Sequence, residues 1–249
     1  MVLFRVLAAA ALMFSGGLTT AATLSVLGTG ATEPGIRAAA EAFRIATGHD
    51  IRITIQTAPE VKKRLEAREV WDLAVATPAT IDEQTKAGLL LGGAVTLGRV
   101  GVGIAVRRGA NPPAIATVAD VKRSVLAADA VVISRGSIGV YSEGMLKKLG
   151  LFEQIEARIV REDRGSEAMH RLAQGKGNEL AFGALTEIAA ARGEGVVLVG
   201  PLPAELQNYT TYAIAQLRQA KAPEVAAAFL KYLQTPASEA LFRAQGIEK

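Results

Sequence analysis

From residue 23 onward the chain alternates short apolar runs, which stop at small or glycine-containing loops, with longer stretches carrying apolar residues every third or fourth position. Residues 24–27 read as a strand that ends at Gly28-Thr29-Gly30, after which Ile36, Ala39, Ala40 and Phe43 recur at helical spacing up to Gly48. Ile51, Ile53 and Ile55 alternate as a second strand, and Thr57-Ala58-Pro59-Glu60 turns the chain. Residues 62–69 form a charged helix around Val61 and Leu65, with a proline just ahead of it, where a missing N–H does no harm. A third strand over 71–76 and a helix from 78 to about 90 complete this series.

The stretch 95–107 is strand-like without a helical period. A second series starts with a strand at 131–134 and a helix over 140–149, and residues 157–160, 180–182 and 196–199 read as its further strands. Residues 210–217 form a last strand, and Val225, Ala228, Phe229, Tyr232 and Leu233 mark a closing amphipathic helix. Strands alternating with helices predict an α/β protein of mainly parallel sheets with helices on both faces. Two such series predict two lobes. The extended segments 99–106 and 209–215 are expected to be two crossing strands at a hinge, which makes one lobe of residues 23–100 and 209–249 and the other of residues 101–208.

Ahead of this pattern, Arg5 precedes an apolar stretch over 6–14, Gly16-Gly17 breaks it, and the small residues Thr19, Thr20, Ala21 and Ala22 follow. That is the pattern of a secretory signal peptide over residues 1–22, shorter in its apolar run than the ~20 residues a membrane-spanning helix needs. It predicts export to the periplasm. With 50% hydrophobic residues the chain has the means to build a packed core, and with no cysteine that core must do without disulfides or thiolate chemistry. The net charge of +4 suits an anionic ligand. Basic residues alternate with acidic ones and no basic run carries interleaved aromatics, so no nucleic-acid partner is expected.

Ligands of open α/β sheets bind beyond the carboxyl ends of the strands, where helix N-termini present free N–H groups and a partial positive charge. Four loops occupy such places. Thr29 and Thr32 flank Gly30 in the first, and each threonine either caps the following helix or donates to an oxyanion. Thr57 and Ala58 occupy the same place after the second strand, with the same two readings. The third loop, 134–139, joins two hydroxyls, a guanidinium and two glycines that let the backbone approach a ligand; Ser137 is its foremost candidate, and Arg135 is either a bidentate partner for a carboxylate or a solvated charge. The fourth, 183–187, offers Thr186 or backbone contacts.

No enzymatic constellation accompanies these loops. His49 and His170 sit beside charged residues, Ser142 and Ser166 lack a Ser-His-Asp arrangement, and Glu162-Asp163 reads as solvated charge at a strand end. The GTGATEP loop lacks the Lys-Ser/Thr of a P-loop and the third glycine of a Rossmann fingerprint, and metal-ligand spacing is absent. Catalysis, a cofactor and a metal are therefore not expected. A secreted α/β enzyme, or a sensory domain, acting on a small anionic metabolite is the competing reading.

The chain resembles the periplasmic molybdate-binding proteins and their relatives among the substrate-binding proteins of ABC transporters. The resemblance runs over nearly all of it and rests on GTGATEP, TAPEVKKRL, WDLAVATPATID, SRGSIGVYSEGMLKKLGL, AQGKGNELAFGALTEI and AAFLKYLQTPASEALFRAQGI. It implies a two-lobed periplasmic binding protein fold, a monomer that captures a small anion in the cleft and passes it to a membrane permease. By position it points to Thr29 or Gly30, to Thr57 and Ala58, and to Ser137 with Ile138 as the ligand's contacts. Where that family carries a tyrosine, AFGALTEI has Ala184, and threonines replace its loop serines; with Arg135 nearby, this widens the expected ligand from molybdate to an oxyanion or a small carboxylate.

Overall fold

The computed structural model describes residues 21–249, so the leader expected at 1–22 lies outside the described residues apart from its last two positions. The first series folds as β1 (Thr23–Thr29), α1 (Glu33–Thr47), β2 (Asp50–Gln56), α2 (Ala58–Glu66), β3 (Leu73–Ala76) and α3 (Pro78–Lys86), and leads into β4 (Val95–Arg107). The second runs through α4 (Val118–Ala127), β5 (Ala130–Ser134), α5 (Ser137–Lys148), α6 (Phe152–Ile155), β6 (Ile159–Glu162), α7 (Gly165–Ala173), β7 (Glu179–Ala184), α8 (Leu185–Ala190) and β8 (Val196–Pro201). The chain closes with β9 (Tyr209–Gln216), α9 (Pro223–Leu233) and α10 (Pro236–Ala244).

The strands follow the order β2-β1-β3-β9-β4-β7-β5-β6, with β8 on the other edge of β4. Pairing is parallel within β2-β1-β3 and within β7-β5-β6, as alternating strands and helices demand, while β4, β8 and β9 run antiparallel to their neighbours. This is the two-lobed α/β architecture predicted, with the two parallel groups joined through β4. Up to Gly101, opposite Tyr209, β4 pairs with β9; from Val102, opposite Ala184, it pairs with β7. One of the two expected crossing strands is thus found. The other, 209–215, is corrected: β9 pairs only with β3 and the first half of β4.

The return crossing is made instead by the irregular segment 202–208. Leu202 N donates to Val102 O at 3.1 Å. The Gln207 carboxamide accepts from Val102 N at 2.8 Å and donates to Val102 O at 3.0 Å. A side-chain amide here stands in for a strand neighbour at the residue where β4 changes partners, so the backbone groups of Val102 stay satisfied.

Helix starts are set by caps rather than by apolar period. Thr57 accepts from Glu60 N at 3.3 Å, so α2 begins at Ala58, ahead of the predicted residue 62. α5 begins at Ser137 rather than 140, without a side-chain cap, directly after Gly136. The helix α4, absent from the periodic reading because only Val121 and Val125 are buried along it, opens on a capping box in which Thr117 Oγ1 accepts from Asp120 N and Asp120 accepts from Thr117 N.

A continuous core runs beneath both groups of strands. Phe43 of α1 meets Phe229 of α9 edge-on at 5.1 Å beneath Leu24 and Val26 of β1, all four nearly inaccessible to water. Asp72, buried just before β3, accepts from Ser25 N and Oγ and from Lys221 N and Ala222 N, tying β1 to the start of α9. Among the described residues no helix is long and apolar enough to cross a membrane.

Candidate functional site

Five helices begin where the strands end around one cleft: α1 by way of a short 3-10 turn, α2, α5, α7 and α8. Between them lies a chamber of about 30 Å³ lined by the loops at 29–31, 55–58, 134–138 and 164–166 together with Glu187 and Tyr212. That volume holds about two waters, each needing ~10–15 Å³, which is room for one oxyanion head but not for a whole organic acid. The N–H groups of the first helical turn have no intrahelical acceptor, so the loops offer donors from both groups of strands.

Six of the eight residues singled out by sequence line this chamber: Thr29, Gly30, Thr57, Ala58, Ser137 and Ile138. The Thr29 hydroxyl is 3.2 Å from that of Thr32, whose own hydroxyl reaches Thr29 O at 3.0 Å, so this loop is braced from within. Thr57 is both cap and lining, because its oxygen accepts from Glu60 N while its proton remains available. Ser137 Oγ lies 3.1 Å from the Tyr212 hydroxyl. Ala58 and Ile138 stand in the first turns of α2 and α5, where only their backbone can serve a ligand.

Two of the eight lie elsewhere. Arg135 N donates to Glu162 O at 2.9 Å, prolonging the pairing of β5 with β6 by one residue, and its side chain sits at the exposed rim with Nε 3.3 Å from Asp163. Thr186 is buried, and its hydroxyl donates to Ala31 O at 2.8 Å, fastening α8 to the first loop. Ala184, whose small side chain was expected to make room for ligand, is fully buried in β7 and outside the lining, and a tyrosine does reach the chamber, from β9. The two sequence grounds for a carboxylate thus fall outside the chamber.

The side chains that the sequence reading missed are Glu187, Tyr212 and the trio Arg164-Gly165-Ser166. The trio follows β6 as the other loops follow their strands, so the repeating strand-loop-helix pattern could have found it. Tyr212 was concealed in a run that reads as plain strand. Glu187, three residues into a helix, reads as an ordinary first-turn carboxylate, and its setting depends on two distant glycines. A Cβ on Gly30 would stand 2.2 Å from Glu187 Oε1, and one on Gly165 2.1 Å from Oε2. Only glycine lets both loops close on that carboxyl group.

Burial pushes the Glu187 carboxyl up to about 7, with backbone hydrogen bonding at Ala184 opposing and the charge of Glu33 adding to the rise. Burial likewise pushes Tyr212 up to about 12, against the Ser137 hydrogen bond and with help from Glu187, so its hydroxyl stays protonated. The chamber therefore holds a carboxyl group whose burial favours its protonated form, among N–H and O–H donors. Among the described residues no group of three or more His, Cys, Asp or Glu is placed to hold a metal.

Residues 24–248 match the family described as bacterial extracellular solute-binding protein. The chain belongs to this family. A curated relative of this solute-binding protein, aconitate isomerase from Pseudomonas sp, is 30% identical over 223 residues, which cover 85% of this chain and 82% of that one. Among solved structures, the Azotobacter vinelandii periplasmic molybdate-binding protein aligns with a TM-score of 0.74 at 19% identity, over 91% of this chain and 99% of that one. The sulfate-binding protein of Mycobacterium tuberculosis H37Rv aligns with a TM-score of 0.72 at 18% identity, over 91% and 86%. These structures share the two-lobed fold of the solute-binding protein.

Proposed function

We propose that this solute-binding protein, exported to the periplasm, takes up a small organic carboxylate in the chamber between its lobes and passes it, as a monomer, to the membrane permease of an ABC uptake system. The lobes that close on the ligand are residues 23–100 with 209–249 and residues 101–208. The observation that carries this reading is the chamber itself: loops from both groups of strands surround it, with the Ser137 and Tyr212 hydroxyls and helix N-termini as donors. In its protonated form Glu187 donates to an incoming anion instead of repelling it. The ligand class is supported by the 30% identical relative named for an isomerase of a carboxylic acid; the chamber admits one head group, carboxylate or inorganic oxyanion alike.

A thermal-shift screen of aconitate isomers, citrate, small monocarboxylates, molybdate and sulfate tests it. A carboxylate at 100 times its dissociation constant should add about 2.7 kcal/mol. Stabilisation by molybdate or sulfate alone overturns the ligand class, and no stabilisation by any of them overturns capture.

A second reading is favoured by Glu187. A carboxyl group that titrates near neutral pH, inside an anion site, is suited to take a proton from one carbon of a bound unsaturated acid and return it to another. In that step a C–H bond breaks, its electron pair shifts through the allylic system, the double bond moves and a new C–H bond forms; the surrounding donors carry the transient negative charge. Proton NMR of aconitate incubated with the protein decides between the readings. Interconversion by the wild type, lost by about 100-fold or more in Glu187→Gln, establishes the isomerase, and inertness of the wild type leaves capture alone.

A further inference from the structure

Outside the chamber the cleft opens into a vestibule of about 520 Å³. Gln56, Thr57 and Arg164 line both spaces, so the two are continuous. The vestibule has room for the rest of a ligand whose first carboxylate fills the chamber. What that body meets is set by charge. Glu60 on one wall is offset by Lys63 and Arg64 of its own helix, and Arg135 at the rim is engaged by Asp163.

Arg164 is paired as well, with Glu167, but along one edge of its guanidinium. It is the basic side chain of the chamber lining, and it precedes α7, whose first turn holds it from two sides. Glu167 Oε2 accepts from Arg164 N at 3.2 Å, while Oε1 accepts from Nε at 2.9 Å and from Nη2 at 2.5 Å. The guanidinium beside it holds the Glu167 carboxyl below its ordinary value, so the clamp persists into mildly acid conditions. Nη1 donates to no protein acceptor among the described residues. A guanidinium fixed along one edge and free along another is preorganised to receive a second carboxylate.

We infer that Arg164, positioned by Glu167, binds a second carboxylate of the ligand at the junction of chamber and vestibule, so that the protein selects di- and tricarboxylates over monocarboxylates. The inference rests on carboxylate capture as proposed above and adds the residue that counts the ligand's charges.

Calorimetric titration of the mature protein with tricarballylate, glutarate and butyrate tests it; all three are saturated acids, so turnover does not interfere. Glutarate and tricarballylate are expected to bind the wild type at least about tenfold more tightly than butyrate. Arg164→Ala should weaken glutarate and tricarballylate by about that factor more than it weakens butyrate, and Arg164→Lys should restore part of the difference. Should Arg164→Ala fail to fold, the three wild-type affinities and Arg164→Lys still decide. Equal wild-type affinity for glutarate and butyrate, or equal loss of both in Arg164→Ala, overturns the inference while leaving carboxylate capture standing; binding of none of the three acids overturns capture as well.

Discussion

Glu187 is a polar residue kept where the folded state alone does not want it. Its carboxyl titrates near 7 in the folded chain against an ordinary 4.5, so between those values the folded state holds a proton that the unfolded state has released. Stability contributed by this group is therefore fully present below pH 4.5, falls as pH rises, and is lost above 7. Glu187→Gln should make the ligand-free protein more stable at pH 8 by up to about 3 kcal/mol, a gain that shrinks as pH is lowered toward 4.5, measured by urea denaturation at both values. An unchanged midpoint at pH 8 would show that the carboxyl group is better solvated than its place against Gly30 and Gly165 implies. Stabilisation on removing a charged group is the signature of a residue retained for binding or chemistry. None of this is legible along the chain, because Glu187 acquires its setting from two glycines that sequence order places far away.

At the scale of elements, sequence pattern and structure agree best where one face of a strand or helix is buried. Ile51, Ile53 and Ile55 alternate, and β2 forms there; Ile36, Ala39, Ala40 and Phe43 recur, and α1 buries them. Agreement weakens where a local hydrogen bond, not burial, decides. Thr57 and Thr117 start their helices by capping, and Gln207 takes the place of a second crossing strand by pairing with Val102 through its side chain. The loops of the site were legible because they follow a strand and precede a helix, whereas Arg135 and Thr186 were misplaced because residue type says nothing of direction. Asp72 joins elements in the same side-chain-to-backbone way. Burial alone would raise its pKa, but hydrogen bonds from Ser25, Ala222 and Lys221 outweigh that and hold it below its ordinary 3.8. Asp72→Ala should cost about 3 kcal/mol at pH 7, since it takes the acceptor from the part-buried N–H groups of Ser25, Lys221 and Ala222 together. The difference should narrow below pH 3.8, where the wild-type carboxylate takes up its proton, and denaturation midpoints at the two pH values check both parts.

For the whole molecule, β4 is the common member of both groups of strands, and the closure proposed above would bend the chain near Val102 and the segment 202–208. Ligand binding is expected to reduce the radius of gyration in solution scattering, and an unchanged profile at saturating ligand would rule out closure. Gln207→Ala should free Val102 from its two side-chain bonds and broaden the range of lobe orientations seen without ligand, with a loss of stability of about 1–3 kcal/mol. The same strand sets an order of assembly. β3 lacks its second neighbour until β9 is made, and Arg99 exchanges backbone hydrogen bonds with Glu248, almost at the last residue. The first three strands therefore wait for β9 before their sheet is complete, and pairings across such separations form slowly. Until that strand arrives, β3 keeps one edge of unpaired N–H and C=O groups open to any other strand that can meet it.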